Sequence, residues 1–320
     1  MSKTTKTHVV NRYHVAAILF LSLILSLATG CSTYSSMERK AKRMVRDLRA
    51  PDSDLKKRIG ITLFENKTAF VDTEMQPRFL IDLTEKIMSS CPDVLLEKPG
   101  DSDYPDFLIK LPRKASGQID NYDLAESGRR SGLNSIVTGA INDVRVDKRK
   151  EGIWFFKDIH HYVQVQIVGE VYDTETGAKL LDESFMREIE IDESDLESTG
   201  VDAEIKAYIK DDIFKHIAVD MGEKICNAVV FDPWTGYITS TVEDKIILSS
   251  GERVGIKPGD IFEVYNSTDT FQGVEGHRFF IPGLKTGEIK ITAVYPDTAE
   301  AIRISGQDNI RAGFTVRPKD

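Results

Sequence analysis

The sequence predicts an α+β protein, in which an N-terminal α/β unit is followed by a small all-β barrel or sandwich. In the first unit, helices lie on a mixed sheet in a three-layer-like arrangement. Three observations predict this. Between Arg58 and Phe231 the apolar spacing alternates between about two residues, as in strands, and three to four, as in helices. From Asp232-Pro233 onward only short β-runs separated by turn residues remain. The chain has 320 residues, 41% of them hydrophobic, which is enough to bury two cores. The expected division is residues 1–30 as a signal, 31–57 as a tether, 58–231 as the α/β domain and 232–320 as the β domain.

The first element is an export signal. Lys3, Lys6 and Arg12 precede an apolar run, Val15 to Leu27, broken only by Ser22 and Ser26, which is the pattern of a secretory signal. The run is shorter than the roughly 20 residues a transmembrane helix needs. It ends in Leu27-Ala28-Thr29-Gly30-Cys31. Small residues there let a peptidase approach the backbone, and the thiol that follows can take a lipid. This resembles the lipobox of bacterial lipoproteins, with one departure: the family favours Leu three places before the cysteine, where this chain has Ala28. The resemblance implies removal of residues 1–30, acylation including palmitate at Cys31, and anchoring to membrane lipid through that residue. Ser32, rather than Asp, implies sorting to the outer membrane, facing the periplasm.

Without the signal the chain carries 39 basic and 51 acidic residues, a net charge of −12. That excludes the basic footprint of a nucleic-acid binder. In an oxidising compartment Cys91 and Cys226 either form a disulfide or stay as two buried thiols, because sequence gives no distance between them. The tether contains Met37 to Ala50, with six basic and two acidic residues and apolar positions at helical spacing. It is either a solvated spacer or a short amphipathic helix beside the bilayer.

Ile59 to Phe64 alternates as a strand. Pro77 opens a helix with Phe79, Leu80, Leu83, Ile87 and Met88 on its inner face, and Pro92 closes it. Val94 to Leu96 is a short strand, and 97–106 is a loop. Asp120 or Asn121 caps a helix through Leu124, Ala125 and Gly128, and Ser135 to Ile141 is a central strand. Residues 162–172 and 179–191 make a hairpin around Asp173-Thr174-Glu175-Thr176-Gly177. In the helical stretch from Ala203 to Val229, apolar residues recur every four positions from Ile205 to Ile225. Four residues overshoot a helical turn by about 40°, so this helix bends or breaks once, or is covered on more than one side. The tail carries β-runs at 237–242, 245–248, 261–265, 288–294, 301–304 and 314–316, with turn signals such as Ser250-Gly251 and Pro258-Gly259.

The order strand, helix, strand, helix, strand, hairpin, helix resembles the small α/β domain shared by the curli secretion subunit CsgG, the penicillin-binding-protein activator LpoB and the middle part of the flagellar assembly protein FlgT. The related N-terminal domain of TolB belongs to the same fold class. The residues that carry the resemblance are Ile59-Gly60-Ile61, Phe64 to Thr68, Leu124-Ala125, Gly128, Gly132-Leu133, Val137, Gly139, Tyr172-Asp173 and Thr176-Gly177. Trp234-Thr235-Gly236 and Val254 to Val264 resemble the C-terminal β domain of the flagellar protein. All are turn or core residues, so the resemblance implies a fold more than a chemistry.

No phosphate loop, nucleophile elbow, zinc spacing or His-Glu-x-x-His occurs. His160 and His161 are adjacent and would point to opposite faces of a strand. The run Asp192 to Glu197 lacks the spaced ligands and glycine of a calcium loop. The expectation is therefore no enzyme, no metal and no cofactor. Two apolar clusters offer partner contacts. Trp154-Phe155-Phe156 is either a contact or packing. Phe271, Phe279 and Phe280, in the long connection Asn266 to Gly283, are either a docking surface or a lid over the barrel core. The function expected is an assembly or adaptor module for a cell-envelope complex of flagellar, secretion or peptidoglycan-synthesis type, with envelope proteins as partners. The alternative is a homo-oligomeric export-pore subunit like the curli relative. The candidate insertions for membrane strands, Asp147 to His161 and Glu188 to Gly200, are too charged to make a convincing membrane hairpin.

Overall fold

A computed structural model describes residues 54–70, 72–153, 155–191, 208–230, 232–306 and 309–319. Cys31, the signal, nearly all of the tether, Trp154 and the acidic run 192–197 lie outside the described residues. The central sheet has the order β3-β1-β4-β5-β6, with β2 also paired to β4. Its strands are β1 (Lys57–Ile61), β2 (Glu65–Asn66), β3 (Val94–Glu97), β4 (Ser135–Ile153), β5 (Phe156–Asp173) and β6 (Lys179–Ile191). β1, β2 and β3 run parallel to their neighbours, whereas β4, β5 and β6 are antiparallel. This makes the sheet mixed.

One face of the sheet carries two helices, α1 (Met75–Ser90) and α4 (Phe214–Val230). Alternation puts Ile59, Ile61, Val137, Val165, Ile167 and Val171 on this face, where they pack with Phe79, Leu83, Ile217 and Met221 in the larger core. The opposite face carries α2 (Asp106–Ile109) and α3 (Asn121–Arg130), seated on Ile136 and Tyr172 through Leu108 and Leu124. Asp120 caps α3 by accepting from the amides of Tyr122 and Asp123.

Several elements depart from the sequence expectation for physical reasons. β1 stops at Ile61 because Phe64 turns into the core beneath Gly139, where a Cβ would lie within 2.5 Å of the Phe64 ring carbons. α1 starts at Met75, two residues before Pro77. Proline fits there because first-turn amides have no helical partner. The stripe repeating every four residues is accommodated by one π-turn, Ile209–Ile213, leading into α4, and Ile209, Ile213, Ile217, Met221 and Ile225 are all buried. β4 runs twelve residues beyond Ile141, so the charged stretch from Asp147 is the end of a continuous hairpin, closing at Ile153 opposite Phe156.

The tail forms a closed barrel, β12-β13-β8-β7-β14-β9. Its strands are β7 (Gly236–Val242), β8 (Lys245–Leu248), β9 (Ile261–Tyr265), β12 (Lys285–Val294), β13 (Ala299–Gly306) and β14 (Thr315–Pro318). Trp234, Leu248, Phe262, Val264, Ile289, Phe314 and Val316 fill it. The long connection within it folds as a separate two-stranded hairpin, β10 (Thr270–Gln272) and β11 (Arg278–Phe280). Barrel and α/β portion belong to one unit, Asp52–Asp320. Leu55 and Leu95 reach from the α/β side into the barrel core.

Candidate functional site: a polar cleft walled by an aromatic hairpin

The hairpin turn Asp173 to Gly177 and helix α3 meet the barrel in a buried polar seam. Thr174, fully buried, directs its hydroxyl donor at the carbonyls of Leu133 and Asn134, at 2.5 and 2.9 Å, and shares a hydrogen bond with the Tyr237 hydroxyl at 2.8 Å. Asn134 donates to the Thr235 carbonyl at 2.6 Å and accepts from the Arg58 amide at 3.0 Å. Arg129 is 4% exposed and donates to the carbonyls of Thr174 (2.9 Å), Glu175, Ser267 (3.0 Å) and Gly313 (3.4 Å). Burial pulls its guanidinium below the ordinary arginine pKa. Gly132 closes the seam with φ of +71°, and any Cβ there would strike the Ser249 carbonyl oxygen at 1.9 Å.

The hairpin β10–β11 is strapped onto α3 from the barrel side. Phe280 is buried and stacks on Tyr122 with ring centroids 4.7 Å apart, and the Arg129 guanidinium lies 3.6 Å from its ring centre. Arg278 covers the other aromatic surface, 3.6 Å from the Tyr122 centroid. Asn121, 2% exposed, donates to the carbonyls of Gly177 and Arg278 and meets His277 Nδ1 at 3.1 Å. Strand alternation then separates the three phenylalanines. Phe271 and Phe279 are direct cross-strand partners, stacked at 5.2 Å on the face away from α3, and Phe271 is 52% exposed. Sequence grouped Phe271, Phe279 and Phe280 as one cluster; the structure assigns them to two faces.

The tip of this hairpin, Glu275 and His277, walls a cleft of about 610 Å³ over the outer face of the sheet. Thr62, Thr138, Ala140, Val168 and Tyr172 make its floor, with Thr62, Thr138 and Tyr172 each at least nine-tenths buried. On one side stand Glu65, Lys67 and Arg113. Arg113 donates to Glu65 and, at 2.6 Å, to the Gly117 carbonyl, while Lys67 lies 4.0 Å from Glu65. On the other side Lys179 bridges Glu170 at 2.5 Å and Asp182 at 2.9 Å. Glu170 also accepts from the Tyr172 hydroxyl at 2.8 Å and from Thr138 at 3.4 Å. Partial burial pulls Lys179 down, but its bonds to Glu170 and Asp182 outweigh this and hold its pKa above the usual lysine value. Burial, then the Glu170 charge, pushes the Tyr172 phenol up.

Arg113, Thr138, Glu170 and Lys179 did not stand out in the sequence, because Arg113 meets Glu65, Glu170 meets Thr138 and Lys179 meets Glu170 only once the chain is folded. The signals present were Phe64 to Thr68 and Tyr172-Asp173, which are fold markers in the sequence. Cys91 and Cys226 are joined by a disulfide, Cα to Cα 5.9 Å, between the end of α1 and α4. Phe155, next to Trp154, is 82% exposed at the tip of the β4–β5 hairpin. Among the described residues no group of three or more His, Cys, Asp or Glu side chains forms a metal site, and no helix is long and apolar enough to cross a membrane.

No known family pattern and no curated protein matches the chain. Solved structures give similarities of low TM-score. A hypothetical protein from Chlamydia trachomatis is 12% identical over 53% of this chain and 98% of its own, with TM-score 0.33. A lipoprotein from Neisseria meningitidis is 12% identical over 49% of this chain and 97% of its own, with TM-score 0.25. TolB from Acinetobacter baumannii is 13% identical over 82% of this chain and 63% of its own, with TM-score 0.27. The functional reading therefore rests on the chain's own residues.

Proposed function

We propose that the chain is a non-catalytic lipoprotein, anchored through Cys31 in the outer membrane and facing the periplasm, that acts as an adaptor for a cell-envelope complex. The observation that carries this reading is the split of the β10–β11 hairpin into two faces. Its inner face, Phe280 and Arg278, is locked on Tyr122 and Arg129. Its outer face therefore presents Phe271 and Phe279 on a rigid support, which is how aromatic anchors bind protein partners at low entropic cost. A non-catalytic role is supported by the cleft, where the acids are engaged by neighbouring bases and hydroxyls: Glu65 by Arg113, and Glu170 by Lys179 and Tyr172.

The test is a photo-crosslinking amino acid placed at position 271 or at position 280 in living cells. The reading expects a discrete envelope-protein adduct from position 271 and intramolecular products from position 280. Equal labelling from both sites, or none from 271 in membranes that hold the protein, overturns it. Cys31→Ser should release the protein from membranes, and continued retention would refute the anchor.

The length of the β4–β5 hairpin, with strands of 19 and 18 residues, favours a second reading as an export-pore subunit. Its distal half counts against that reading. One face carries Arg145, Asp147 and Arg149, and the opposite face carries Lys148 and Lys150, whereas a membrane strand needs one apolar face. Rings seen by negative-stain imaging of detergent-extracted protein would decide for the pore.

A further inference from the structure

The side chains that line the cleft balance in charge. Glu65, Glu170 and Glu275 are matched by Lys67, Arg113 and Lys179, so the lining as a whole favours neither an anion nor a cation. What it offers is hydrogen-bonding capacity, with donors and acceptors side by side. Arg113 beside Glu65 makes one such couple, and Lys179 beside Glu170 makes another. Arg113 uses two of its five N–H donors on Glu65 and the Gly117 carbonyl, which leaves donors over. The floor adds a second observation. Thr62 is 3% exposed, yet its hydroxyl has no hydrogen-bond partner among the described residues, and the Asn142 amide at the rim has none either. A buried hydroxyl is costly to leave unbonded, and a ligand lying on this floor would complete it.

We propose that this cleft binds a short, uncharged oligosaccharide. Every sugar hydroxyl both donates and accepts, and two neighbouring ring hydroxyls stand about as far apart as a hydrogen-bonded donor and acceptor. Such a pair can bridge Arg113 and Glu65, one hydroxyl accepting from the guanidinium and the other donating to the carboxylate. Lys179 and Glu170 can hold a second pair in the same way. The register sets the length. Glu65 pairs with Ala140 on one side of β4, and Glu170 pairs with Thr138 on the other, so the two couples stand two strand spacings apart, roughly 10 Å at the backbone. A single ring reaches one couple, whereas linked rings reach both. Between the couples Leu63, Ala140 and Val168 present apolar surface to the C–H faces of the rings. The volume of about 610 Å³ is that of a small-molecule site. An extended peptide brings one donor and one acceptor per residue and would use fewer of these groups. The site is separate from the Phe271–Phe279 surface and does not depend on the adaptor reading.

The experiment is calorimetric titration of the full chain in a detergent without a sugar headgroup. The neutral probes are maltotriose, cellotriose and tri-N-acetylchitotriose, and the controls are glucose, trigalacturonic acid and N-acetyl-triglycine amide. At least one neutral trisaccharide is expected to bind about tenfold more tightly than every control. Thr62→Val should weaken that binding about fivefold, as for loss of one hydrogen bond, without lowering the thermal unfolding temperature, because the hydroxyl has no partner in the protein. Arg113→Met should weaken it as well, and serves if Thr62→Val fails to fold. The proposal is overturned if no neutral trisaccharide binds the folded wild-type chain, or if any control binds as tightly as the best of them. Unchanged affinity in the folded variants also overturns it. A failure here leaves the position 271 crosslink untouched.

Discussion

Two polar regions lie side by side where helix α3 meets the outer face of the sheet, and they are built by opposite rules. In the seam, Arg129, Asn134 and Thr174 are each less than 8% exposed and bonded to partners fixed by the backbone. In the cleft, Lys67, Arg113 and Lys179 are 58, 37 and 34% exposed, and their ion pairs face solvent. A buried polar network is costly unless every member is satisfied, so it specifies one docking geometry. Exposed pairs contribute little to stability and can be exchanged for a ligand's charges. The first region fixes the barrel on the α/β portion, and the second adds little to its stability.

The severest way to break this contrast is Arg129→Ala. It strands the carbonyls of Thr174, Glu175 and Ser267, leaves that of Gly313 with the Ser267 hydroxyl, and removes the cation from the Phe280 ring. A loss of about 4–5 kcal/mol is expected in urea unfolding. The hairpin should also loosen, read as increased exchange of the Phe280 amide, which donates to the Thr176 carbonyl at 2.9 Å. A loss under about 1 kcal/mol would show that the seam is not what holds the two parts together.

The second effect sharpens the comparison from the other face of the sheet. The Cys91–Cys226 bond spans a sequence separation of 135 residues and ties α1 to α4. Cys91→Ala with Cys226→Ala is expected to cost about 4 kcal/mol, within the range for removal of a native disulfide. The seam should keep its exchange protection, since the bond lies in the helical layer. Parallel loss of protection in both layers would mean that they unfold as one.

The third concerns Lys57, whose ammonium donates to the Val229 carbonyl near Asp173 and Glu175. Burial lowers its pKa from 10.5 to about 8. The folded chain then releases this proton before the unfolded chain does. Between about pH 8 and 10 the unfolded state binds more protons, and stability rises with pH. The full effect is on the order of 3 kcal/mol. Above about pH 10 the buried phenols of Tyr172 and Tyr237, held up mainly by burial, reverse the trend. In Lys57→Met the rise should vanish, and its persistence in denaturant titrations across that range would remove Lys57 as its source.

How far these regions were legible in the sequence depends on the range of the contacts that make them. The Asp120 cap, the Thr176-Gly177 turn and the stripe repeating every four residues in α4 are set by neighbours a few positions away, so pattern alone finds them. The repeat left a bend, a break or cover on more than one side open, since four residues overshoot a regular turn, and the π-turn Ile209–Ile213 is what the structure shows. Arg129 was invisible because its acceptors lie 45 to 184 residues away and are main-chain carbonyls, which any residue type supplies. Glu170 carried no signal for a like reason, since its partner Thr138 lies 32 residues away. The Phe271, Phe279 and Phe280 cluster was found, but its division into two faces needed the register of β10 on β11.

The smallest expected effect is the sharpest test of the contrast. Lys179→Ala removes a side chain that bridges Glu170 and Asp182 at the surface, and the expected loss of stability is below about 1 kcal/mol. A stability loss comparable to that of Arg129→Ala would instead place Lys179 in the same buried, geometry-fixing class as the seam, and the division between the two regions would fail.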